Sequence, residues 1–203
     1  YRRLVLRYFH NPDSALYRLL LGPAITERYS PFSKLQFNRA RTIGYFTSPR
    51  WHEGELSKNH ITLKAKEPKH LRELLKTVAD ASTLTLHHRL GDSLSLAETR
   101  GVLGMDYFNA AIEQLGFRGR RIIVFSDDIE ESKRRFLDSG YDLQEMQFWG
   151  NDLSASELLL VMMNASNLVI SNSSISWWGA NLNDKGNVIA PREWTKSGEY
   201  SKD

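Results

Sequence analysis

The sequence predicts an α/β fold, in which a parallel, Rossmann-like sheet carries helices on both faces over residues 69–203. Two observations carry this prediction. Short apolar runs that fit buried strands alternate about five times with segments of helical period. Small or charged polar residues directly follow three of these strands, and the carboxyl ends of parallel strands are where such sheets bind their ligands.

The predicted elements follow one another regularly along this part of the chain. Strands are predicted at Leu84–His88, Ile122–Phe125, Glu145–Phe148, Leu168–Ile170 and Val188–Ala190. Helices are predicted at Lys69–Ala79, Met105–Leu115, Ile129–Leu137, Ala155–Asn164 and from Ser174 onward. Ser154 and Glu157 form a capping box, and residues 158–163 are apolar nearly all round, so we expect the fourth helix to be buried.

Residues 1–68 differ from the rest of the chain in composition and hydrophobic pattern. They are rich in arginine, aromatic residues, glycine and proline, and they show no sustained helical or strand period. A short strand at 1–9, a helical turn at 15–21 and a strand end at 44–46 are predicted. We therefore expect residues 1–68 to be an incomplete N-terminal region, followed by a ligand-binding domain over 69–203.

Composition restricts the chemistry. The 203 residues contain no cysteine, which excludes disulfides, thiolate zinc sites and cysteine nucleophiles. The sequence shows no Asp-x-Asp or His-x-x-x-His metal pattern, no P-loop and no Gly-x-Gly-x-x-Gly fingerprint. A formal net charge of +3 favours an anionic ligand without requiring nucleic acid.

Hydropathy indicates where the protein resides. The sequence contains neither a transmembrane run nor a secretory signal, so we expect a cytoplasmic protein. Peripheral membrane association is the alternative, at the Golgi membrane if the protein is eukaryotic and a further segment precedes Tyr1.

The first polar stretch follows the strand Leu84–His88. Side chains alternate along a strand, so His87 and Arg89 are predicted to share a direction, while Gly91 turns the chain and Asp92 lies at the rim. The paired N–H groups of an arginine suit a diphosphate. The alternatives are a structural salt bridge for Arg89 and a hydrogen bond within the core for His87.

The second polar stretch follows the strand Ile122–Phe125. Asp127 stands three residues before Glu130, which is the pattern of a helix cap. Asp128 would then be left to accept two hydrogen bonds from the N1 and N2 amines of a guanine.

The third polar stretch is a serine turn after the strand Leu168–Ile170. Its hydroxyls lie at a predicted helix start, where backbone N–H groups and the helix dipole favour an anion. The serines concerned are Ser173, Ser174 and Ser176. The alternative is that Ser173 or Ser174 merely caps the helix. The apolar face of this helix is predicted at Ile175, Trp178 and Leu182.

Together these stretches resemble the α-1,2-fucosyltransferases of glycosyltransferase family 11. The motifs are His-x-Arg-x-Gly-Asp at 87–92, Phe-Ser-Asp-Asp at 125–128, Asn-Ser-Ser-x-Ser-Trp-Trp-Gly-Ala at 172–180 and Val-Ile-Ala-Pro at 188–191. Gly-Tyr-Phe-Thr-Ser at 44–48 is similar to a further stretch of that family. Leu90 stands where members usually carry a second arginine, and the family's N-terminal glycine-rich motif is not found.

The resemblance implies a GT-B-like fold that transfers fucose from GDP-fucose to a galactose hydroxyl, with inversion and without a required metal. Residues 1–68 would form the acceptor side, and residues 69–203 would bind the GDP-sugar. The implied partners are GDP-fucose and a galactose-containing glycan, with no cofactor beyond the donor and no nucleic acid.

The resemblance also implies a role for each candidate residue. His87 and Asp128 would face the guanine, and Arg89 would grip the diphosphate and neutralise charge as GDP departs. Asp92 would be the base that takes the proton of the acceptor hydroxyl, with Glu98 as the alternative. Further phosphate contacts are implied at Ser173, Ser174 and Ser176.

Other functions stay open at this point. The chain fits a non-catalytic GDP-sugar-binding module, or another GDP-fucose-dependent transferase that acts on a protein or a core glycan. Eight arginines within residues 2–50, with aromatic residues between them, also allow a nucleic-acid interface. We favour a solvated face or a surface that meets an anionic membrane as the interpretation of this basic region.

Overall fold

The computed structural model describes residues 24–26, 41–43, 68–90, 103–192 and 194. The chain divides into two compact units, Tyr1–Glu55 and Leu56–Asp203. In the first unit, strand β1 (Ala24–Thr26) pairs in parallel with strand β2 (Arg41–Ile43). The elements predicted within residues 1–21 and at 44–46 lie outside the described residues.

The second unit alternates strands and helices, as the sequence predicts. Its strands are β3 (Leu84–His88), β4 (Ile122–Ser126), β5 (Met146–Trp149), β6 (Asn167–Val169) and β7 (Asn187–Ile189). Its helices are α1 (Lys69–Val78), α2 (Met105–Gln114), α3 (Ile129–Asp138), α4 (Ala155–Asn164) and α5 (Ser174–Leu182).

Strand β5 begins one residue later than predicted. Glu145 belongs to a 3-10 turn, Leu143–Glu145, that precedes the strand. The carboxylate of Asp142 starts this turn by accepting the backbone N–H of Gln144 at 2.9 Å. Side-chain capping of this kind competes with strand pairing and fixes where the strand starts.

The five strands of this unit form one parallel sheet in the order β5-β4-β3-β6-β7. The register places Leu84 opposite Ile122 and Leu86 opposite Val169. Numbered within the unit, this is the strand order 3-2-1-4-5 of a Rossmann-like fold. The predicted fold class is therefore confirmed.

Both faces of the sheet are covered, so β3 and β4 are buried along their whole length. On one face the core includes Leu84, Leu86, Val124, Phe108, Ile112 and Phe136. On the other face it includes Ile123, Phe125, Leu168, Leu71, Leu74 and Met162. A strand buried on both faces needs a continuous apolar run, which explains the sequence of β4.

Helix α4 carries the predicted capping box but is less buried than predicted. The backbone N–H of Ser154 donates to Glu157 Oε2 at 2.8 Å, while the hydroxyl of Ser154 accepts from the N–H of Glu157. Only Val161 and Met162 are buried. The predicted burial therefore holds for one face only, since Leu158 and Leu160 are partly buried beside the core that contains Val161 and Met162.

The helices of the described ranges, residues 68–90 and 103–192, are too short or too polar to span a membrane.

Candidate functional site

The end of β3 and the end of β6 lie side by side at the point where the strand order reverses. From β3 the chain first builds the sheet toward β4 and β5, and then returns to the other side of β3 as β6 and β7. A crevice forms at the carboxyl ends of the two strands that flank such a reversal, and ligands of open α/β sheets bind there. His87 and Arg89 on one side and the serine turn on the other are brought to this point.

His87 lies in the interior rather than at the open edge. The residue is 3 % exposed, and its Nδ1 hydrogen-bonds the hydroxyl of Ser176. Burial lowers the pKa of His87 to about 4, and the positive charge of Arg89 lowers it further. His87 is therefore neutral at pH 7. The structure thus joins two predicted nucleotide ligands, His87 and Ser176, to each other behind the crevice.

Ser171 holds the end of β3 from the side of β6, and sequence reasoning missed it. Its hydroxyl donates to the backbone carbonyl of His87 at 2.5 Å and accepts the backbone N–H of Arg89 at 3.1 Å. Ser171 is almost completely buried. Its only signal in the sequence is its place as the first polar residue after an apolar strand.

Arg89 pairs with Asp127, which holds the same strand end from the side of β4. Arg89 Nη1 lies 3.1 Å from Asp127 Oδ2, and the two side chains are 36 % and 14 % exposed. Asp127 Oδ1 also accepts the backbone N–H of Leu90 at 2.8 Å. The salt bridge considered for Arg89 is present, and the predicted capping role of Asp127 was wrong.

Asp128, rather than Asp127, caps helix α3. Its Oδ1 accepts the backbone N–H of Glu131 at 3.0 Å, and its backbone is extended as an N-cap requires. Capping needs the residue just before the helix, and α3 begins at Ile129. Asp128 is therefore engaged at one carboxylate oxygen, which differs from the predicted pair of oxygens held ready for a guanine.

The serine turn leads into α5 without a side-chain cap. Ser173 occupies the N-cap position with an extended backbone, but its hydroxyl makes no capping hydrogen bond. The alternative in which Ser173 caps the helix through its side chain was therefore wrong. Ser173 and Ser174 are both partly exposed, whereas Ser176 is buried against His87. The hydroxyls of Ser173 and Ser174 thus lie at the strand-order reversal, while the backbone N–H of Ser173 donates to the carbonyl of Ser171 at 2.8 Å.

The buried face of α5 differs from the predicted one. Ser176, Gly179 and Leu182 are buried, whereas Ile175 and Trp178 are only partly buried. The helix is rotated by about one residue because Gly179 lets it approach α4 closely. A Cβ atom at Gly179 would lie 2.6 Å from Met162 Cβ. Trp177 and Trp178 contact each other edge to face, with ring centroids 5.2 Å apart.

His88 was not among the predicted site residues, although it is adjacent to Arg89. Its Nδ1 lies 2.8 Å from the hydroxyl of Ser132, and its ring packs edge-on against Phe108 and Phe136. Burial lowers the pKa of His88 to about 4, with a further contribution from Arg135. His88 therefore ties the end of β3 to α3 as a neutral core residue.

The remaining predicted site residues, Asp92 and Glu98, lie outside the described residues, as does Gly91. Within the described ranges, no group of three or more histidine, aspartate or glutamate side chains is placed to hold a metal ion. The residues that the structure brings together at the crevice are Arg89, Asp127, Ser171, Ser173 and Ser174.

The parallel sheet with helices on both faces defines a Rossmann-like lobe. The sequence model of glycosyl transferase family 11 matches residues 32–203, so this chain belongs to that family of glycosyltransferases. The resemblance found in the motifs is therefore confirmed.

Two curated relatives from Escherichia coli support the same family. An O-antigen biosynthesis glycosyltransferase, WbnK, is 35 % identical over 132 residues, which cover 61 % of this chain and 42 % of the relative. An alpha-1,2-colitosyltransferase is 32 % identical over 137 residues, which cover 64 % of this chain and 47 % of the relative. Each match thus spans less than half the length of the relative.

Proposed function

We propose that this chain is the donor-binding part of an inverting fucosyltransferase that transfers fucose from GDP-fucose to a galactoside hydroxyl in α-1,2 linkage. The observation that carries this proposal is the start of α5, where the N-cap residue Ser173 makes no side-chain capping bond, at the strand-order reversal that also holds Arg89. Family membership supports the reaction class. A GT-B arrangement, with the acceptor bound mainly by residues 1–68, is part of the same proposal.

The diphosphate would lie across the crevice. Backbone N–H groups in the first turn of α5 and the hydroxyls of Ser173 and Ser174 would donate to one phosphate, because a helix start favours an anion. Arg89 would donate to the other phosphate through its guanidinium. His87 and Ser176 would act from behind, by holding the end of β3 and the first turn of α5 together.

The guanine would lie on the side of β4, next to Asp128. The capping bond engages Asp128 Oδ1, so the base would meet this residue through Oδ2. One hydrogen bond is weaker than the pair that the sequence predicts. We therefore expect Asp128 to contribute less to the preference for guanine than a carboxylate outside a helix cap would.

The transfer itself would be a single displacement. The acceptor hydroxyl attacks the anomeric carbon of fucose, its proton passes to a base, and the bond from the anomeric carbon to the GDP oxygen breaks. Arg89 would stabilise the negative charge that develops on the departing diphosphate. Asp92 is the proposed base, with Glu98 as the alternative.

A second donor deserves testing because one relative is named a colitosyltransferase. In that case the same crevice would hold the nucleotide, and the sugar-facing residues would select the transferred group. A non-catalytic GDP-sugar-binding module is the other candidate, because each match spans less than half of the relative. A cytoplasmic or membrane-peripheral location, and the lack of a nucleic-acid partner, stay predictions.

Thermal stabilisation by GDP, compared with UDP and ADP, tests the nucleotide site. A ligand that binds only the folded state raises the melting temperature, by an amount equivalent to about 2.7 kcal/mol at a concentration of 100 times Kd. We expect GDP to give the largest rise. An equal response to all three nucleotides, or none to GDP, would contradict the proposal.

Arg89→Ala should abolish most of the GDP response, and Arg134→Ala is its matched control. Arg134 also forms ion pairs, with Glu131 and Asp138, but lies on the exposed face of α3. Transfer of fucose or colitose to galactosides would then distinguish an enzyme from a binding module. GDP binding without any transfer would support the module.

A further inference from the structure

The two carboxylate oxygens of Asp127 contact two consecutive residues, Leu90 through its backbone N–H and Arg89 through its guanidinium. Oδ1 accepts the backbone N–H of Leu90 at 2.8 Å, and Oδ2 lies 3.1 Å from Arg89 Nη1. Asp127 is only 14 % exposed, so water weakens these contacts little. One side chain thus fixes both where the chain leaves β3 and where the guanidinium of Arg89 points.

The backbone of Arg89 is held from the opposite side by Ser171. The N–H of Arg89 donates to the hydroxyl of Ser171 at 3.1 Å, and that hydroxyl donates to the carbonyl of His87 at 2.5 Å. Strand β4 therefore holds the side chain of Arg89, while strand β6 holds its main chain. Arginine loses much rotamer freedom on binding a ligand, and contacts that restrict it beforehand lower that entropic cost.

We propose that Asp127 is a positioning residue that directs the guanidinium of Arg89 toward the diphosphate of the nucleotide sugar. This inference rests on the proposed nucleotide site. Asp127 acts through Arg89 rather than by touching the nucleotide. The buried position and the double engagement of its carboxylate distinguish it from Asp128, which closes α3.

The charge of Asp127 makes this proposal testable by the direction of an effect. A carboxylate near a diphosphate repels it, so its removal strengthens GDP binding if charge alone matters. If Asp127 instead positions Arg89, its removal weakens GDP binding, because the guanidinium must be ordered anew. A purely structural role predicts a third result, which is an equal loss for ligands with and without phosphate.

The experiment measures the affinity of the whole chain for GDP and for guanosine. Asp127→Asn is nearly isosteric, and its amide oxygen still accepts the N–H of Leu90, so the main change is at Arg89. We expect the GDP affinity to fall about tenfold and the guanosine affinity to stay the same. In an Arg89→Ala background, Asp127→Asn should not weaken GDP binding any further, because no guanidinium is left to position.

Two further variants make the result decisive. Asp127→Glu keeps the charge but moves the carboxylate by one methylene, so it should also weaken GDP and spare guanosine. Asp142→Asn is the matched control. Asp142 also accepts a backbone N–H through its carboxylate, that of Gln144, but it lies before the amino end of β5. It should change neither affinity.

The outcomes separate this proposal from the proposed function. If the wild-type protein does not bind GDP, both the proposed function and the positioning role of Asp127 are overturned. If the wild type prefers GDP, then unchanged or tighter GDP binding by Asp127→Asn overturns only the positioning role. Equal losses for GDP and guanosine do the same, as do additive losses in the double variant.

Discussion

Helices α4 and α5 are each preceded by a serine at the N-cap position, yet only one of these serines caps its helix with its side chain. Ser154 and Glu157 exchange hydrogen bonds in a capping box at the start of α4. Ser173 has the same extended backbone at the start of α5, but its hydroxyl makes no capping bond. The difference lies three residues further on, where α4 has Glu157 and α5 has Ser176.

Ser176 is too short to complete a capping box, and its hydroxyl is bonded to His87 instead. Contacts along the rest of α5 fix its position. Gly179 lies against Met162, and Asn183 Nδ2 donates to the carbonyls of Met162 and Ala165 at 2.9 and 2.8 Å. The start of α4 is therefore fixed by its own capping box, whereas the position of α5 is fixed by its contacts with α4 and with His87. This leaves the N-cap hydroxyl of Ser173 without a capping bond, two residues after the Ser171 hydroxyl that holds the main chain of Arg89.

The largest expected effect concerns pH, because a histidine holds the first turn of α5. The folded pKa values of His87 and His88 are about 4, below the usual 6.5. Between these values the unfolded chain binds more protons than the folded chain. Stability is thus complete above about pH 6.5 and falls as the pH drops toward 4, by about 3 kcal/mol for each histidine. Urea unfolding between pH 7 and 4.5 measures this loss.

Two variants test whether the buried histidines cause this loss of stability at low pH. His88→Phe fits the aromatic contacts with Phe108 and Phe136, and it should remove about half of the pH dependence. Ser154→Ala should leave the dependence unchanged above pH 5, because the start of α4 contains no histidine. A stability that does not change between pH 6.5 and 4.5 would contradict the buried, neutral state of both histidines.

The next effect tests whether packing places α5. Alanine normally stabilises a helix interior relative to glycine by about 0.5–1 kcal/mol. At Gly179 the new Cβ would lie 2.6 Å from Met162 Cβ and 2.7 Å from its sulfur. Overpacking of a core costs about 1–3 kcal/mol, so Gly179→Ala should destabilise the protein by about 1–2 kcal/mol net. Chemical denaturation measures the change, and a stabilised variant would show that α5 is not held there.

Comparison of the two helix starts also shows how far sequence reasoning reaches. The capping box of α4 and the strand–turn–helix order at residues 167–182 depend on local signals, and the structure confirms them. The start of α5 looks the same locally. In the structure the hydroxyl of Ser173 makes no capping bond, and the hydroxyl of Ser176 bonds to His87, which lies 89 positions earlier.

The same limit explains the exchanged roles of Asp127 and Asp128. Two adjacent aspartates before a helix offer two capping registers, and the sequence alone does not choose between them. The choice follows from the end of β3, because Leu90 and Arg89 both contact Asp127. Ser171 was missed for a similar reason, since its partners belong to another strand.

Ser154→Ala gives a smaller effect and tests the closed helix start. Loss of an N-cap side chain costs about 1 kcal/mol, and here it also removes one of the two hydrogen bonds that Glu157 Oε2 accepts from Ser154. Hydrogen bonds from Ser154 hold the pKa of Glu157 below its usual value, so the box is weakened as the pH falls. We expect the unfolding midpoint in urea to drop while the response to GDP stays the same. A reduced GDP response would mean that α4 also serves the nucleotide site.

Ser173→Ala gives the smallest effect on stability and the sharpest contrast with Ser154→Ala. Its hydroxyl makes no capping bond to lose, so the unfolding free energy should change by less than about 0.5 kcal/mol. The GDP affinity should nevertheless fall several-fold, because a phosphate would lose one hydroxyl donor while the backbone N–H groups remain. Denaturation and GDP titration of both serine variants form the complete test. A loss of about 1 kcal/mol at Ser173 with unchanged GDP binding would mean that both helices are capped alike and that the start of α5 is not a ligand site.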